Sequence, residues 1–270
     1  MEEEEASSCK HSGIVHSQQS KPEYISGQVN EEHGLCYILA GELSVAEAAS
    51  SKSYGSGELI FFRKNHFAKF RKSPANGQNF KSITVVFDTA MLKAFSADKP
   101  VAPGFLPKVT AAVIPLNGEL TLMQHYFQSL FYYFDTALPQ GLMELKVREA
   151  LMLLLQIDPA LKNILFDFGQ PGKINLEAFM HQHFRFNVET NKLAYLSGRS
   201  LASFKRDFTK TFGSTPRRWL HKRRLEEAYF QIKEHHRRPS EVYHEVGFET
   251  ISHFSASFKQ HFGINPSALN

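Results

Sequence analysis

One pattern of apolar and polar positions occurs twice near the end of the chain, fifty residues apart. Each copy has a hydroxyl residue, phenylalanine at three positions spaced by four, then glycine and proline. The copies are Ser200, Phe204, Phe208, Phe212, Gly213 and Pro216, and Thr250, Phe254, Phe258, Phe262, Gly263 and Pro266. Side chains four apart line one helix face, Ser or Thr caps the first amides, and Gly suits a left-handed end. Each copy predicts a capped helix with a buried aromatic face.

A shorter apolar segment precedes each predicted helix, at 193–198 and at 242–247. A short helix, a tight turn and a longer helix together form a helix-turn-helix unit. We therefore expect two units, over about 190–213 and 239–263. Between them, Pro216 suits a first helical turn, and the apolar stripe that follows predicts one connecting helix over 216–233.

The face opposite the phenylalanines distinguishes a DNA reader from a helical packing domain with a solvated polar face. In the first helix this face offers Leu201, Ala202, Lys205, Arg206, Thr209 and Lys210, and in the second Ile251, Ser252, Ser255, Ala256 and Lys259. Small, hydroxylic and basic side chains fit a major groove, where bulk would clash and acids would repel. The pattern favours DNA binding. Asp207, the acid of the first helix, is expected to form an ion pair with a neighbouring helix.

Residues 174–269 resemble the AraC/XylS family of bacterial transcription regulators. The resemblance rests on Gly247-Phe248-Glu249, Ser252-His253-Phe254-Ser255, Phe258-Lys259, Phe262-Gly263 and Pro266, and on Gly213-Ser214-Thr215-Pro216 and Arg224-Leu225-Glu226-Glu227-Ala228. It implies two helix-turn-helix units joined by one long helix, and a protein that regulates transcription by binding double-stranded DNA.

The same resemblance assigns roles to individual positions. Base edges are expected to meet Ala202, Lys205 and Arg206 in the first unit and Ile251, Ser252 and Ser255 in the second. Many family members carry Arg where this chain has Ala256, so the second unit is expected to grip phosphates mainly, through Lys259. Further phosphate contacts are expected from Arg217, Arg218 and Lys222 of the connecting helix. Arg224 is either structural, paired with an acid, or part of the same basic face.

Charge divides the chain in the same place. Residues 171–270 hold sixteen Lys and Arg against nine Asp and Glu, whereas residues 1–170 hold fifteen against eighteen. A basic second part suits a polyanion such as DNA, and its affinity should fall steeply with salt. The polar start lacks a secretion signal, no run of eighteen apolar residues occurs, and the two cysteines indicate no disulfide framework. We expect a cytoplasmic protein without membrane contact.

Residues 24–87 read as short strands separated by glycine turns, including a hairpin at Ala40-Gly41-Glu42. Such a pattern predicts a small antiparallel barrel or jelly roll. It resembles the cupin-like sensor barrel of AraC-type regulators, which we place at 21–116 after a disordered tail over 1–20. Cupin metal sites need several converging His and carboxylate ligands. His33 and His66 stand apart instead, so no metal, no cofactor and no enzymatic activity are expected.

An effector pocket is a second possibility for the predicted barrel. Tyr37, Leu39, Phe61 and Phe70 would line it if they face the interior, although the same residues would equally fill a closed core. Control by a small molecule, control by a partner protein and the absence of any effector remain alternatives.

Residues 117–170 read as helical, with a stripe from Leu120 to Phe134, a break at Leu138-Pro139-Gln140-Gly141, and a second helix that is apolar on nearly every side. Two helices this apolar suggest a dimer interface, as in similar family members, although both could simply pack on the barrel. Gln170-Pro171-Gly172 marks the boundary with the DNA-binding domain over 171–270.

The sequence thus predicts an α+β multidomain protein: a cupin-like antiparallel β-barrel, a helical dimerisation segment, and an all-α tandem helix-turn-helix domain. The predicted function is a sequence-specific, homodimeric transcription regulator. Activation through RNA polymerase is expected from the resemblance. The alternative from another class is a cupin-type metal-dependent enzyme or small-molecule-binding protein whose helical tail does not read DNA.

Overall fold

The computed structural model describes residues 8–11, 13–25, 29–48, 50–98, 111–118, 120–133 and 139–269. The chain divides into two compact units, with the division between Gly169 and Gln170. This is one residue from the boundary that the Gln170-Pro171-Gly172 break predicts. None of the helices that the structure describes combines the length and the hydropathy of a bilayer-spanning segment.

The described strands of the first unit form two antiparallel sheets. Their bounds are β1 Ser8–His11, β2 Ile14–Gln19, β3 Glu23–Ile25, β4 His33–Ala40, β5 Glu42–Ala46, β6 Ser51–Tyr54, β7 Leu59–Phe62, β8 Lys69–Ser73, β9 Phe80–Phe87 and β10 Val113–Leu116. The larger sheet has the order β1-β2-β9-β4-β7-β10, and the smaller has the order β3-β8-β5-β6.

Strand β4 is buried on both faces, and this explains the layered core. Alternate side chains of a strand point to opposite faces. Cys36 and Ile38, two residues apart on one face of β4, therefore pack against Val45 and Phe70 of the smaller sheet. Leu35 faces the other way, into a second core that is closed by the helices of the first unit. The larger sheet is thus the middle layer of this unit.

The predicted barrel and hairpin both need correction. The structure has two sheets and not a closed barrel, because the turn at Gly41 carries the chain from β4 in one sheet to β5 in the other. Strand β5 pairs with β6 and β8 instead of β4. Gly41 has φ 79°, and a Cβ there would lie 2.7 Å from the carbonyl oxygen of Ser73. The turn signal was therefore right, but the strand pairing that we inferred from it was wrong.

The disordered tail predicted over 1–20 is also wrong for part of its length. Strand β2 pairs with β9 along its whole length, from Ile14 opposite Val85 to Gln19 opposite Phe80. Ile14, Ser17 and Gln19 of this strand are buried, so it is part of the packed structure of the first unit. Strand β1 pairs with β2 at the edge of the sheet. Residues 1–7 and 12 of the predicted tail lie outside the described residues.

The α-helices described in the first unit are α1 Thr89–Asp98, α2 Thr121–Phe131, α3 Gln140–Ile157 and α4 Lys162–Leu165. Helix α3 begins directly after Pro139, where the sequence places the break, whereas Leu138 and Phe134 lie outside the described residues. It buries one face against the sheet, made of Met143, Val147, Ala150, Leu151 and Leu154. The Tyr126 hydroxyl donates to the Lys146 carbonyl oxygen at 2.9 Å and joins α2 to α3.

The described secondary-structure elements of the second unit are all helices. Its helices are α5 Leu176–His183, α6 Thr190–Leu196, α7 Leu201–Phe212, α8 Pro216–Lys233, α9 Pro239–Glu245 and α10 Ile251–Phe262. Helices α6 and α7 lie within the first predicted helix-turn-helix unit and α9 and α10 within the second, α8 coincides with the predicted connecting helix, and α5 precedes both units.

The repeated pattern forms the capped helices α7 and α10. Ser200 accepts from the Ser203 amide and Thr250 from the His253 amide, each at 3.3 Å. Gly213 and Gly263 end the helices with φ 63° and 78°. Phe204, Phe208, Phe254 and Phe258 are fully buried, and the two remaining phenylalanines are half-buried. The aromatic stripes are therefore core, as the pattern predicts.

Candidate nucleic-acid interface

Helix α7 presents a polar, basic face because its phenylalanines anchor the opposite face. The aromatic side is held by Trp219 of α8, whose ring lies 4.6 Å from that of Phe212. Ala202, Lys205 and Arg206 are exposed on the other side. The structure thus brings the three predicted base-contacting residues of the first helix-turn-helix unit together on one surface.

Asp207 does not leave a bare negative charge on this surface. Its Oδ2 lies 3.2 Å from Nε of Arg199 and 3.6 Å from Nζ of Lys173. Oδ1 lies 3.6 Å from Nε of Arg206. The hydrogen bond from Arg199, with the charges of Lys173 and Arg206, lowers the pKa of the Asp207 carboxyl. Asp207 therefore forms ion pairs, but the predicted pairing with a neighbouring helix is wrong: Arg199 lies in the turn between α6 and α7, Lys173 lies before α5, and Arg206 lies on α7 itself.

Helix α10 presents a more neutral face. Ile251, Ser252 and Ala256 are exposed, and Ser255 is half-buried. Lys259, a predicted phosphate contact, is exposed one turn further on. His253 is exposed near the start of the same helix. His253 was not predicted as a site residue, because the motif that contains it gives no indication of what its side chain faces.

Helix α8 separates its basic residues into two groups. Arg217, Arg218 and Lys222 are exposed, as the phosphate-contact prediction requires, and Lys222 also lies 3.7 Å from Glu226. Arg224 points inward and donates to the carbonyl oxygens of Phe184 and Phe186, each at 2.8 Å, and of Gly247 at 3.2 Å.

Arg224 thus bonds backbone carbonyls, and the alternative of a paired acid does not describe it. Burial lowers its pKa to about 10, which leaves the guanidinium charged at neutral pH. Its fork-shaped donors suit several carbonyls at once. They tie α8 to the segment before α6 and to the turn before α10, so this side chain fixes the second helix-turn-helix unit on the connecting helix.

Glu227 is a further structural residue of this unit, and its role was not predicted from the sequence. It is buried and forms an ion pair with Arg185. Its carboxylate also lies 3.6 Å from Nη2 of Arg223 and accepts a hydrogen bond from the Gln231 side-chain amide at 3.0 Å. A buried carboxylate needs such partners, because an unpaired buried charge is costly. The i, i+4 spacing of Arg223 and Glu227 was a usable signal, whereas Arg185 lies too far away in sequence to be found.

A cleft of about 700 Å³ opens in this unit beside the connecting helix. Its walls come from the start of α6, the first half of α8, and the turn and first residues of α10. The lining residues are Asn187, Val188, Glu189, Thr190, Thr215, Arg217, Arg218, Leu220, His221, Arg224, Gly247, Phe248, Glu249 and His253. Two predicted phosphate contacts, Arg217 and Arg218, therefore border the same space.

The residues of the predicted effector pocket do not share one interior. Tyr37, Leu39 and Phe61 lie on the side of the larger sheet that faces the helices, and the Tyr37 ring stacks on Phe127 at 5.2 Å. Phe70 lies between the two sheets. Three of the four pack together, but Phe70 belongs to the other core, because the two sheets do not close into a barrel.

The first unit offers no clustered ligand set for a metal within the part of the chain that is described. His33 accepts a hydrogen bond from the Lys64 amide at 3.2 Å through Nδ1, and His66 bonds the Lys64 carbonyl oxygen through its own Nδ1. Both rings are therefore engaged by the same loop residue.

Comparison with known proteins agrees with this arrangement. Residues 193–270 match a family model described as a helix-turn-helix domain, and residues 33–164 match the ExsA N-terminal regulatory domain. The chain is 26% identical to the HTH-type transcriptional regulator ExsA of Pseudomonas aeruginosa, over 89% of this chain and 86% of that protein.

Two further similarities cover most of the chain. It is 23% identical to the virulence regulon transcriptional activator VirF of Yersinia enterocolitica, over 88% of this chain and 89% of that one. A structure of apo ToxT from Vibrio cholerae aligns over 96% of this chain and 97% of that one, with 10% identity and a TM-score of 0.46. The chain belongs to the AraC/XylS family and is a DNA-binding transcription regulator.

Proposed function

We propose that the chain activates transcription by reading two adjacent major-groove segments with α7 and α10. The observation that carries this proposal is the pair of capped helices, each buried through its phenylalanines and open on the opposite face. Activation is supported by similarity to VirF, whose name describes an activator. The chain would activate transcription by recruiting RNA polymerase. It would act in the cytoplasm, where bacterial DNA lies.

The first helix is proposed as the main sequence reader. Lys205 and Arg206 can donate to guanine O6 and N7, and a good contact of this kind contributes about 1–3 kcal/mol of discrimination. Ala202 leaves room for a base edge or a thymine methyl group. Ile251, Ser252 and Ser255 offer fewer donors, so α10 would contribute shape and phosphate contacts.

The phosphate contacts are proposed to come from Arg217, Arg218, Lys222 and Lys259. All four are exposed, and they lie on α8 and α10. Contacts of this kind position a protein on the duplex without carrying sequence information. Their loss should lower affinity for every sequence by a similar factor, unlike the loss of a base contact.

The first unit is proposed as the regulatory and dimerising part. Its match to the ExsA N-terminal regulatory domain supports a regulatory role. A homodimer is supported by helix α3, where Leu145 and Met152 are 63% and 52% exposed, a large exposure for apolar side chains seven residues apart. A small molecule or a partner protein would act through this unit.

Selection of bound duplexes from a random oligonucleotide pool tests the DNA reading directly. We expect the full chain to enrich one motif, and the Lys205→Ala/Arg206→Ala variant to lose that enrichment by at least tenfold. A control that removes one Lys and one Arg at exposed positions outside the proposed contacts, Lys233→Ala with Arg238→Ala, should keep the motif. Equal loss in both variants would show that α7 supplies only charge, and an absence of salt-sensitive binding by the wild type would refute the proposal.

A further inference from the structure

Two histidines lie close together in the lining of the cleft beside the connecting helix. His221 comes from α8 and His253 from α10, and their ring centroids lie 6.4 Å apart. Phe248 packs edge-on against both, at 5.8 Å from His221 and 5.5 Å from His253. Because Phe248 is buried, it holds both imidazoles at the edge of the cleft. Both histidines are exposed, so their ring nitrogens are accessible to a ligand.

The lining of the cleft around the two rings carries a small net positive charge. Three arginines line the cleft, Arg217, Arg218 and Arg224, against two glutamates, Glu189 and Glu249. Glu249 accepts a hydrogen bond from the Asn187 amide at 2.8 Å, so it is held at the rim. Protonation of His221 would raise the positive excess among these lining residues from one charge to two.

We propose that this cleft, which His221 and His253 line together, holds a phosphodiester group of the DNA backbone, and that His221 takes up a proton as it binds. The inference rests on the proposed DNA reading and adds a pH-dependent grip to it. The cleft lies beside α10 and is bordered by Arg217 and Arg218, so a backbone passing from one groove to the next would meet all four side chains.

The free protein favours the neutral form of His221. Partial burial lowers its pKa, and the charges of His253, His261, Arg224 and Arg217 lower it further. A phosphate bound in the cleft beside His221 reverses this effect, since an opposite charge nearby favours the protonated form. The charged and titratable groups around the pair are Arg217, Arg218, Arg224, Glu189, Glu249 and His261.

Proton uptake on binding predicts how affinity changes with pH. By linkage, the proton taken up by His221 strengthens DNA binding by up to about tenfold for each pH unit between its pKa in the complex and its lower pKa in the free protein. Each phosphate neutralised adds about 0.9 to the slope of log affinity against log salt. The wild-type protein should therefore bind its selected duplex more tightly, and with a steeper salt dependence, at pH 6 than at pH 8.

The test compares the full-length wild type with His221→Asn/His253→Asn, by fluorescence anisotropy on the selected duplex from pH 6 to pH 8. We expect the wild type to bind at least tenfold more tightly at pH 6 than at pH 8. The variant should lose this gain in affinity, and its salt slope should be the same at both pH values. His235→Asn is the matched control, because this exposed histidine lies beyond the end of α8, outside the lining of the cleft. It should behave as the wild type.

The outcomes separate this inference from the function on which it rests. Tight binding whose pH dependence is the same in all three proteins would overturn the histidine grip while leaving the DNA reading intact. No binding at any pH would refute the DNA reading itself. Inorganic phosphate, added at matched ionic strength without DNA, should leave the histidine proton resonances unchanged. A shift of His221 and His253 at millimolar phosphate would instead assign the cleft to a free anion.

Discussion

His33 is a buried polar side chain at the start of β4, and its environment leaves the ring neutral. Nδ1 accepts from the Lys64 amide, so the ring proton sits on Nε2, which has no hydrogen-bond partner among the described residues. The ring stacks on Phe61 at 5.4 Å. Burial lowers the pKa of His33 to about 3, and the charges of Lys64 and Arg63 act in the same direction.

This residue should make the first unit sensitive to acid. The folded-state pKa lies below the unfolded value of 6.5, so the unfolded chain binds the proton first as pH falls. Stability is then unaffected above about pH 6.5 and is lost between pH 6.5 and pH 3, by about 1.4 kcal/mol for each pH unit. Replacement by a group that does not titrate, His33→Gln, should flatten this dependence.

Urea denaturation at pH 7, 6 and 5 measures the effect. Trp219 is the single tryptophan and lies in the second unit, so its fluorescence follows that unit, whereas far-UV circular dichroism follows both. We expect the dichroism midpoint of the wild type to fall with pH more than that of His33→Gln. Parallel pH profiles for the two proteins would show that His33 does not control the acid response.

Individual residues of the candidate interface were predictable to different degrees. Lys205 and Arg206 could be placed on an exposed face, because three phenylalanines define the buried side of one short helix. His221 and His253 could not be paired, because their proximity depends on how α8 meets α10. Arg224 was recognised as special, yet its partners are backbone carbonyls, which carry no sequence signal.

At the scale of elements, local chemistry predicted where helices start and end. The caps at Ser200 and Thr250 and the left-handed glycines follow from contacts within a few residues. The pairing of strands does not: the Gly41 turn looks like a hairpin, but β4 and β5 join different sheets because both faces of β4 are buried. Strand β2 was missed for a related reason, since its polar sequence becomes a strand only by pairing with β9.

Gly247 shows how tightly the second helix-turn-helix unit is joined to the connecting helix. Its φ is 97°, and a Cβ would lie 2.7 Å from the Arg185 carbonyl oxygen and 3.0 Å from Nε of Arg224. Gly247→Ala should therefore destabilise the second unit by about 3 kcal/mol, through backbone strain and displacement of Arg224. Urea denaturation followed by Trp219 fluorescence measures this loss.

The matched control is Gly213→Ala. Gly213 also has a positive φ, 63°, but a Cβ there would meet no atom within 4 Å. Its substitution should cost about 1 kcal/mol, from the left-handed conformation alone. If both variants lose the same stability, the close approach to Arg224 has no energetic consequence. DNA affinity at a temperature where both are folded should fall further for Gly247→Ala, because Arg224 positions the turn before α10.

On the scale of the whole molecule, the division of charge and the division of structure coincide. The basic residues concentrate after position 170, where the second unit begins. Composition could therefore predict two parts with different partners. It could not predict that the first part is a pair of sheets, since closed and open arrangements of short strands have the same alternating pattern.

Helix α3 is the element of the first unit that should join two copies. Leu145 and Met152 lie on one side of the helix, opposite the buried face that includes Val147 and Leu154. Rotation by about 100° per residue places both exposed side chains on a single stripe. A two-fold axis beside this stripe would bring the same side chains of two copies together, as an isologous interface requires.

The Leu145→Glu/Met152→Glu variant tests this interface. Four glutamates would replace four apolar side chains per dimer, so we expect dimer affinity to fall by at least a hundredfold, measured by sedimentation equilibrium. Glu144→Lys, at an exposed position off the stripe, should leave the mass unchanged. A variant that remains dimeric would move the interface elsewhere, and a wild type that is monomeric at tens of micromolar would exclude a stable dimer. Because α3 lies in the first unit, the variant should still bind DNA. Its affinity should be lower, since a monomer carries one tandem helix-turn-helix domain and a dimer carries two.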